Sequence, residues 1–247
     1  MRHVEQYRER ARVLYVRQTH TGCADFERLG LDLFGAIYGR SLRFNDQEGI
    51  FRFPNGGTLE VNQLEGPGGY AKYQGRSFTL LLIDEAGQYA VPDLLDRLRS
   101  NLRGPAGLPL RTVLAANPAD AGHAWLSKRY VFKAAPWSLF TDVASARPFV
   151  YAPSTYKDNI HLDQDAYRRQ LEAACPGDPE LLRAWVEGDW AIARCLLRRL
   201  PRRITQRDRS MVADPRRLGD LPCARLRRRG TLGHLPRRQE PRRTRAG

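Results

Sequence analysis

The hydrophobic positions of this chain change period several times, and each change marks an expected element. Residues 12–19, RVLYVRQT, alternate and are rich in β-favouring side chains, which predicts a strand. Residues 24–39, ADFERLGLDLFGAIYG, carry apolar side chains at roughly helical spacing and stop at Gly39. GIFRFPNGGTLEVNQL (49–64) reads as two short strands around the turn Pro54-Asn55-Gly56-Gly57. A glycine-rich loop is expected at 65–75, a strand over the apolar run 78–83 and a helix from Pro92 to Leu102. LRTVLAANPA (110–119) is a second apolar strand, stopped by Asn117-Pro118. Further strands are expected at YVFKA (130–134) and FVYAP (149–153). Two helices are expected at 163–175 and 178–190, parted by Pro176-Gly177. The second opens with Asp178 as N-cap and Pro179 at its first position. Residues 2–11 are polar and helix-compatible. Strands alternating with helices imply an α/β fold with a mainly parallel sheet.

From residue 194 the pattern breaks. All 23 aromatic residues precede that point. The last 54 residues hold 18 arginines, no lysine and 4 acidic residues, so the whole net charge of +14 belongs to this tail. Without aromatic bulk the tail is expected to be disordered. Its arginine, proline and glycine content also fits an out-of-frame reading of a GC-rich gene. The rival reading is a basic tail that grips DNA phosphates. Cys23, Cys175, Cys195 and Cys223 are widely spaced, which indicates neither a zinc site nor a disulfide framework. No apolar run approaches the roughly 20 residues that span a bilayer, and the N-terminus has no apolar signal core.

Candidate chemistry concentrates where strands end. Asp84 and Glu85 close the run 78–83, and ligands of parallel α/β sheets sit beyond the carboxyl ends of strands. An acidic residue there can hold Mg²⁺ directly or through water, and a neighbouring Glu can act as general base. The plain alternative is that both carboxylates cap the next helix or face solvent. Asn117, at the exit of the next apolar strand, has the chemistry to bond an attacking water or a γ-phosphate; an ordinary Asn-Pro turn is the alternative. Arg17 reads as a surface arginine rather than a phosphate contact. Lys72 and Arg76 read as solvated loop charges. His123, Trp125, Tyr73, Phe78, Trp185 and Trp190 read as packing residues.

Over residues 10–192 the chain resembles the ATPase portion of bacteriophage terminase large subunits. The segments that carry the resemblance are RVLYVRQT, FRFPNGGTLEV, KYQGRSFTLLLIDEAGQ, LAANPADAGHAWLSKRYV, STYKDNIHLDQDAYRRQL and LLRAWVEGDW. It implies a Walker B strand at Leu80–Asp84, with Asp84 as metal and nucleotide contact and Glu85 as catalytic glutamate. It implies a coupling motif at Ala115–Pro118, with Asn117 near the nucleotide. KDN (157–159) and EGDW (187–190) match the stretch leading toward a nuclease. The implied cofactors are ATP and Mg²⁺. The implied partners are double-stranded DNA, a terminase small subunit, a portal protein and further copies in a homo-oligomeric ring, in the cytoplasm of a bacterial host. The expected division is a partial ATPase core over 1–150, the end of that domain over 151–193, and the tail.

Parts of that machine are missing. The phosphate loop G-x-x-x-x-G-K-S/T needs a Gly-Lys pair, and none occurs in the sequence. Met1 is expected to follow the phosphate site, which leaves an incomplete RecA-like P-loop fold. Asp208, Asp214, Asp220 and Glu240 stand isolated among arginines, unlike the carboxylate cluster of a metal-dependent nuclease. The expectation is therefore a motor fragment that does not hydrolyse ATP alone. Two alternatives stay open: a non-catalytic DNA-binding protein that uses the arginine tail, and a fragment of a helicase-type P-loop ATPase.

Overall fold

The computed structural model describes residues 1–191; the tail lies outside the described residues. Helix α1 (Arg2–Tyr7) runs through a short 3₁₀ turn into strand β1 (Arg12–Arg17). Helix α2 (His20–Tyr38) begins at Thr19, whose hydroxyl accepts from the Gly22 amide, and ends at Gly39 with φ +54°. Strands β2 (Arg43–Asn45), β3 (Ile50–Arg52) and β4 (Thr58–Gln63) follow. The β3–β4 turn is closed by Phe53 N–H to Gly57 O and Gly56 N–H to Phe53 O, both 2.9 Å, with Gly56 at φ +85°. Helix α3 (Gly66–Gly69) and a 3₁₀ turn at Tyr70–Tyr73 occupy the stretch expected to be loop. Strand β5 (Leu80–Ile83), helix α4 (Asp93–Arg99), strand β6 (Arg111–Leu114) and helix α5 (His123–Leu126) come next. A hairpin of β7 (Leu139–Asp142) and β8 (Arg147–Val150) precedes helices α6 (Gln164–Ala174) and α7 (Pro179–Glu187).

The main sheet has the order β2-β3-β4-β1-β5-β6. β4, β1, β5 and β6 are parallel, and β2 and β3 add an antiparallel edge. Helical elements cover both faces of the parallel strands, so β1 and β5 read as unbroken apolar runs. Leu14, Val16, Leu81 and Ile83 bury on one face with Leu95 and Leu98 of α4. Val13 and Tyr15 bury on the other with Cys23 and Phe34 of α2 and with Phe51, while Leu80 and Leu82 pack against that cluster. A Cβ at Gly30 would lie 2.8 Å from the Phe51 ring, so this glycine lets α2 settle onto the sheet.

Two expectations are corrected. The YVFKA stretch is not a strand: residues Ser127–Val131 form a π-helical turn that continues α5. Tyr130 is buried there beside Leu126 and Trp190, and a strand would turn alternate side chains away from that cluster. The strand expected at 149–153 lies earlier, at β8, because Arg147–Val150 pair with β7. β2 was not expected. The helices at 163–175 and 178–190 are present as α6 and α7, capped by Asp163 onto Ala166 N–H and by Asp178 onto Leu181 N–H.

A partly buried ion network joins the hairpin to the helical layer. Arg129 donates to both oxygens of Asp142 on β7, at 2.8 and 2.7 Å, and to Asp96 on α4 at 2.9 and 2.8 Å. Those bonds, with help from Ser145, hold the Asp142 carboxyl well below the usual carboxylate range. A depressed carboxylate stabilises the fold above its unfolded value, about 3.9, and that contribution fades as pH falls toward the folded value. Asp142→Asn is expected to cost about 3 kcal/mol at pH 7. In urea melts, the gap between wild type and variant should narrow by about 1.4 kcal/mol for each pH unit below about 3.9. A gap that does not change with pH would contradict this reading.

Candidate functional site

Parallel pairing of β1 with β5 sets Val16 opposite Ile83, and the Asp84 amide donates to Val16 O at 2.9 Å. The next residues of both strands, Arg17 and Asp84, therefore meet at one end of the sheet. Arg17 donates from Nε to Asp84 Oδ2 and from Nη2 to Glu85 Oε1, both at 2.9 Å. Its Nη1 reaches Gly22 O at 3.2 Å, in the first turn of α2. A Cβ at Gly22 would lie 2.7 Å from Arg17 Cδ, so the guanidinium crosses a helix turn that only a glycine leaves open. Arg17 is thus no surface arginine: its side chain is 21% exposed and bridges both carboxylates.

Each carboxylate has further partners. Tyr15 OH donates to Asp84 Oδ2 at 2.7 Å, and the Glu85 amide donates to Asp84 Oδ1 at 3.0 Å. Burial, then the bond to Asp84, raise the Tyr15 hydroxyl far above its ordinary value, so it stays a donor. Gln88 Nε2 donates to Glu85 Oε2 at 2.6 Å. Glu85 itself sits in the left-handed region, φ +49° and ψ +42°. That conformation costs a non-glycine residue roughly 1–2 kcal/mol. The Ala86 amide ties the turn to Ala115 O at 2.8 Å, just beyond β6.

The loop after β6 packs on this turn. The Gly122 amide donates to Gly87 O at 2.6 Å, and a Cβ at Gly87 would lie 2.5 Å from Asp120 Oδ2. Burial and, secondarily, the charge of Glu85 push the Asp120 carboxyl up. His123 Nδ1 accepts from the Ala119 amide at 3.1 Å, and its ring stacks on Trp190 at 5.0 Å. Burial pushes the His123 imidazole down. Trp125 Nε1 donates to Tyr89 O at 2.7 Å. Both residues pack, as expected. Arg76, expected to be a solvated charge, instead forms an ion pair with buried Glu60 on β4, and Lys72 donates to Asn62. Asn117 is exposed, two residues beyond Ala115, and lines a groove along β6. The structure brings Asp84 and Glu85 together with Arg17; it does not bring the Asn117 side chain onto them.

The resemblance implies a nucleotide and a metal at this end of the sheet. Three of the about four acceptor positions of Asp84 are filled. The remainder suits a hydrated divalent cation held through water, not a full coordination shell. Among the described residues no cluster of three or more His, Cys, Asp or Glu side chains is placed to hold a metal. The sequence offers no lysine-bearing phosphate loop to face these carboxylates.

The model of the phage terminase large subunit family matches residues 42–189. The chain belongs to that family. Among solved structures, the large terminase from a thermophilic bacteriophage superposes with a TM-score of 0.53 at 12% identity, over 76% of this chain and 42% of that one. A second structure of that terminase, in complex with ADP, gives 0.52 at 12% identity over the same shares. These likenesses establish the shared α/β fold, and the chain spans about 42% of the length of the terminase structures it matches. No curated protein matches the sequence. Among the described residues no helix is long and apolar enough to cross a membrane.

The bridging role of Arg17 was not legible in the sequence because its partners are 67 and 68 residues away. The one local signal is its strand-end position, two residues after Tyr15 on the same face. Arg17→Ala is expected to destabilise the chain by about 1–2 kcal/mol, discounted for partial exposure. In a double-mutant cycle with Asp84→Asn, the two losses should be less than additive by about 1 kcal/mol. Strict additivity would show that the bridge is not formed.

Proposed function

We propose that residues 1–191 are the water-activating part of the ATPase domain of a DNA-packaging terminase. The supporting observation is the acidic pair at the carboxyl end of β5, held by one guanidinium, with its glutamate kept in a strained backbone conformation. Strain retained at a strand end is a feature of functional sites.

In this reading Glu85 is the general base. Its Oε1 and Oε2 are oriented by Arg17 and Gln88, so a lone pair can face a water beyond the strand and take its proton. Asp84 is the residue that would hold a hydrated Mg²⁺. The bound ion would neutralise phosphate charge. Asn117, on the loop tied to the Glu85 turn through Ala115 and Ala86, would report the state of the γ-phosphate to the rest of the domain. Residues 151–193 lead out of the ATPase domain. The whole motor would act in the host cytoplasm on double-stranded DNA, with a small subunit, a portal and further copies of itself in a ring. The arginine-rich tail gives a second reading, DNA binding without catalysis, its support being that the whole net charge lies there.

With no lysine-bearing phosphate loop in the sequence, both ATP affinity and transition-state stabilisation are expected to be lost. In a steady-state phosphate-release assay with Mg²⁺, the 247-residue chain should show no turnover above Glu85→Gln. A chain extended by a segment bearing G-x-x-x-x-G-K-S/T should gain turnover that Glu85→Gln lowers at least about 100-fold. Turnover by the 247-residue chain itself would contradict the expected loss of catalysis, and turnover of the extended chain that Glu85→Gln leaves unchanged would overturn the proposal.

A further inference from the structure

His123 stands at the start of α5 and is 5% exposed. Its Nδ1 accepts from the Ala119 amide at 3.1 Å. An amide can only donate, so Nδ1 is bare and the ring proton sits on Nε2. Ala119 adopts φ +71°, in the left-handed region that a side chain rarely tolerates, and the imidazole bond holds that turn. The turn follows directly on Asn117-Pro118. The face of the ring stacks on Trp190, with centroids 5.0 Å apart and planes at 20°. Trp190 lies beyond α7 and is buried with Leu126 and Tyr130. One imidazole therefore touches both the loop after β6 and the segment after α7.

Nε2 is buried and no hydrogen bond closes on it. Burial pushes the imidazole below its ordinary value, and the Trp190 backbone pulls less strongly the other way. The titratable groups around the ring are engaged elsewhere. Asp120 packs on Gly87, Glu85 is held by Arg17 and Gln88, and Asp189 pairs with Arg183 and accepts from the Ala191 amide. Tyr130 OH accepts from Arg99, Arg129 is spent on Asp96 and Asp142, burial keeps the Tyr151 hydroxyl protonated, and Lys128 is exposed. A proton added at Nδ1 would set two donors, the imidazole N–H and the Ala119 N–H, against each other. The buried charge would find no counter-ion among the described residues. Its attraction to the indole face offsets less than its lost hydration. The closed arrangement therefore accepts only the neutral ring.

We propose that neutral His123 is a clasp that fastens the loop after β6 to the segment after α7, and that its protonation releases both together. The loop carries Asn117 and is tied to the Glu85 turn by the Ala86–Ala115 and Gly122–Gly87 bonds, so a displacement at either end of the clasp is felt at the other. By linkage, an imidazole lowered in the folded chain stabilises the closed form fully above its unfolded value, about 6.5. That contribution is lost as pH falls from there toward the folded value. A histidine that merely packs would give the same stack, but would not hold a strained turn through Nδ1. None of this depends on the nucleotide reading: the clasp rests on the imidazole and its two neighbours alone.

The test uses the full 247-residue chain. Nitrogen-15 NMR of the His123 ring at about pH 8 should show a bare Nδ1 and a protonated Nε2, with a titration midpoint below about 6.5. Hydrogen exchange, corrected for the intrinsic effect of pH, should show residues 117–123 and 185–191 losing protection together between about pH 8 and about pH 5, by about fivefold or more. His123→Phe keeps a ring on Trp190 and has no proton to gain, so this pH dependence should vanish. His123→Asn keeps an acceptor near the Nδ1 position and should hold 117–123 closed at both pH values. His3, the other buried imidazole, bonds Thr79 just before β5, and any effect of its titration would survive in His123→Phe. Four results would overturn the proposal: a His123 midpoint at or above about 6.5, no loss of protection as His123 titrates, opening of one segment without the other, or a pH-dependent loss that persists in His123→Phe. The first three are read on the wild-type chain, so they stand whether or not a variant folds.

Discussion

One guanidinium decides how the acidic end of this sheet is arranged. Two adjacent carboxylates at a strand terminus repel each other, and here they are brought together by Arg17 from the neighbouring strand. The arrangement depends on the parallel register of β1 with β5, which places Arg17 and Asp84 one residue beyond the Val16–Ile83 pair. It depends equally on Gly22, because a side chain there would collide with the arginine. Slipping β1 by one residue would turn Tyr15 and Arg17 to the other face and leave both carboxylates without a cation. The two cores exist to prevent that slip: Leu14 and Val16 bury on one face, Val13 and Tyr15 on the other.

The loops inherit their positions from the same strand ends. Glu85 adopts a left-handed conformation and the chain turns at once, so that Ala86 reaches back to Ala115. The loop after β6 then folds over Gly87, brings Asp120 against it and lets His123 seal the Ala119 turn with Trp190 stacked outside. Movement at the exit of β6 would therefore be felt at Glu85 through two backbone hydrogen bonds, Ala86–Ala115 and Gly122–Gly87, and the close packing of Asp120 on Gly87. The cluster of Leu126, Tyr130 and Trp190, with Phe140 and Phe149 packed on it, and the Asp96–Arg129–Asp142 network fix the hairpin that follows this loop.

Local chemistry made much of this fold legible. The alternation of RVLYVRQT, the Asn-Gly-Gly turn and the caps Asp163 and Asp178 each specify an element through contacts within a few residues, and β1, the β3–β4 hairpin, α6 and α7 stand where those signals put them. Failures came where distant partners decide. Tyr130 and Val131 favour a strand by type, yet the burial of Tyr130 with Trp190 and the ion pairs of Arg129 hold a helical turn. β2 is too short to show a period. At the site, the Asp84-Glu85 pair was visible because it interrupts an apolar run, whereas Arg17 was taken for a surface residue and Gln88 and Asp120 were not singled out, since their roles arise from pairing and packing across the sheet.

The most direct test of this account is the exchange of the Arg17 Nε proton, followed by nitrogen-15 NMR at neutral pH. The account predicts a slowly exchanging Nε–H in the wild-type chain. Exchange should quicken in Asp84→Asn, which weakens its acceptor, and change little in Glu85→Gln, because Glu85 is bonded through Nη2. An Arg17 Nε–H that exchanges as fast as that of the solvent-exposed Arg28 would contradict the bridge on which the site is built.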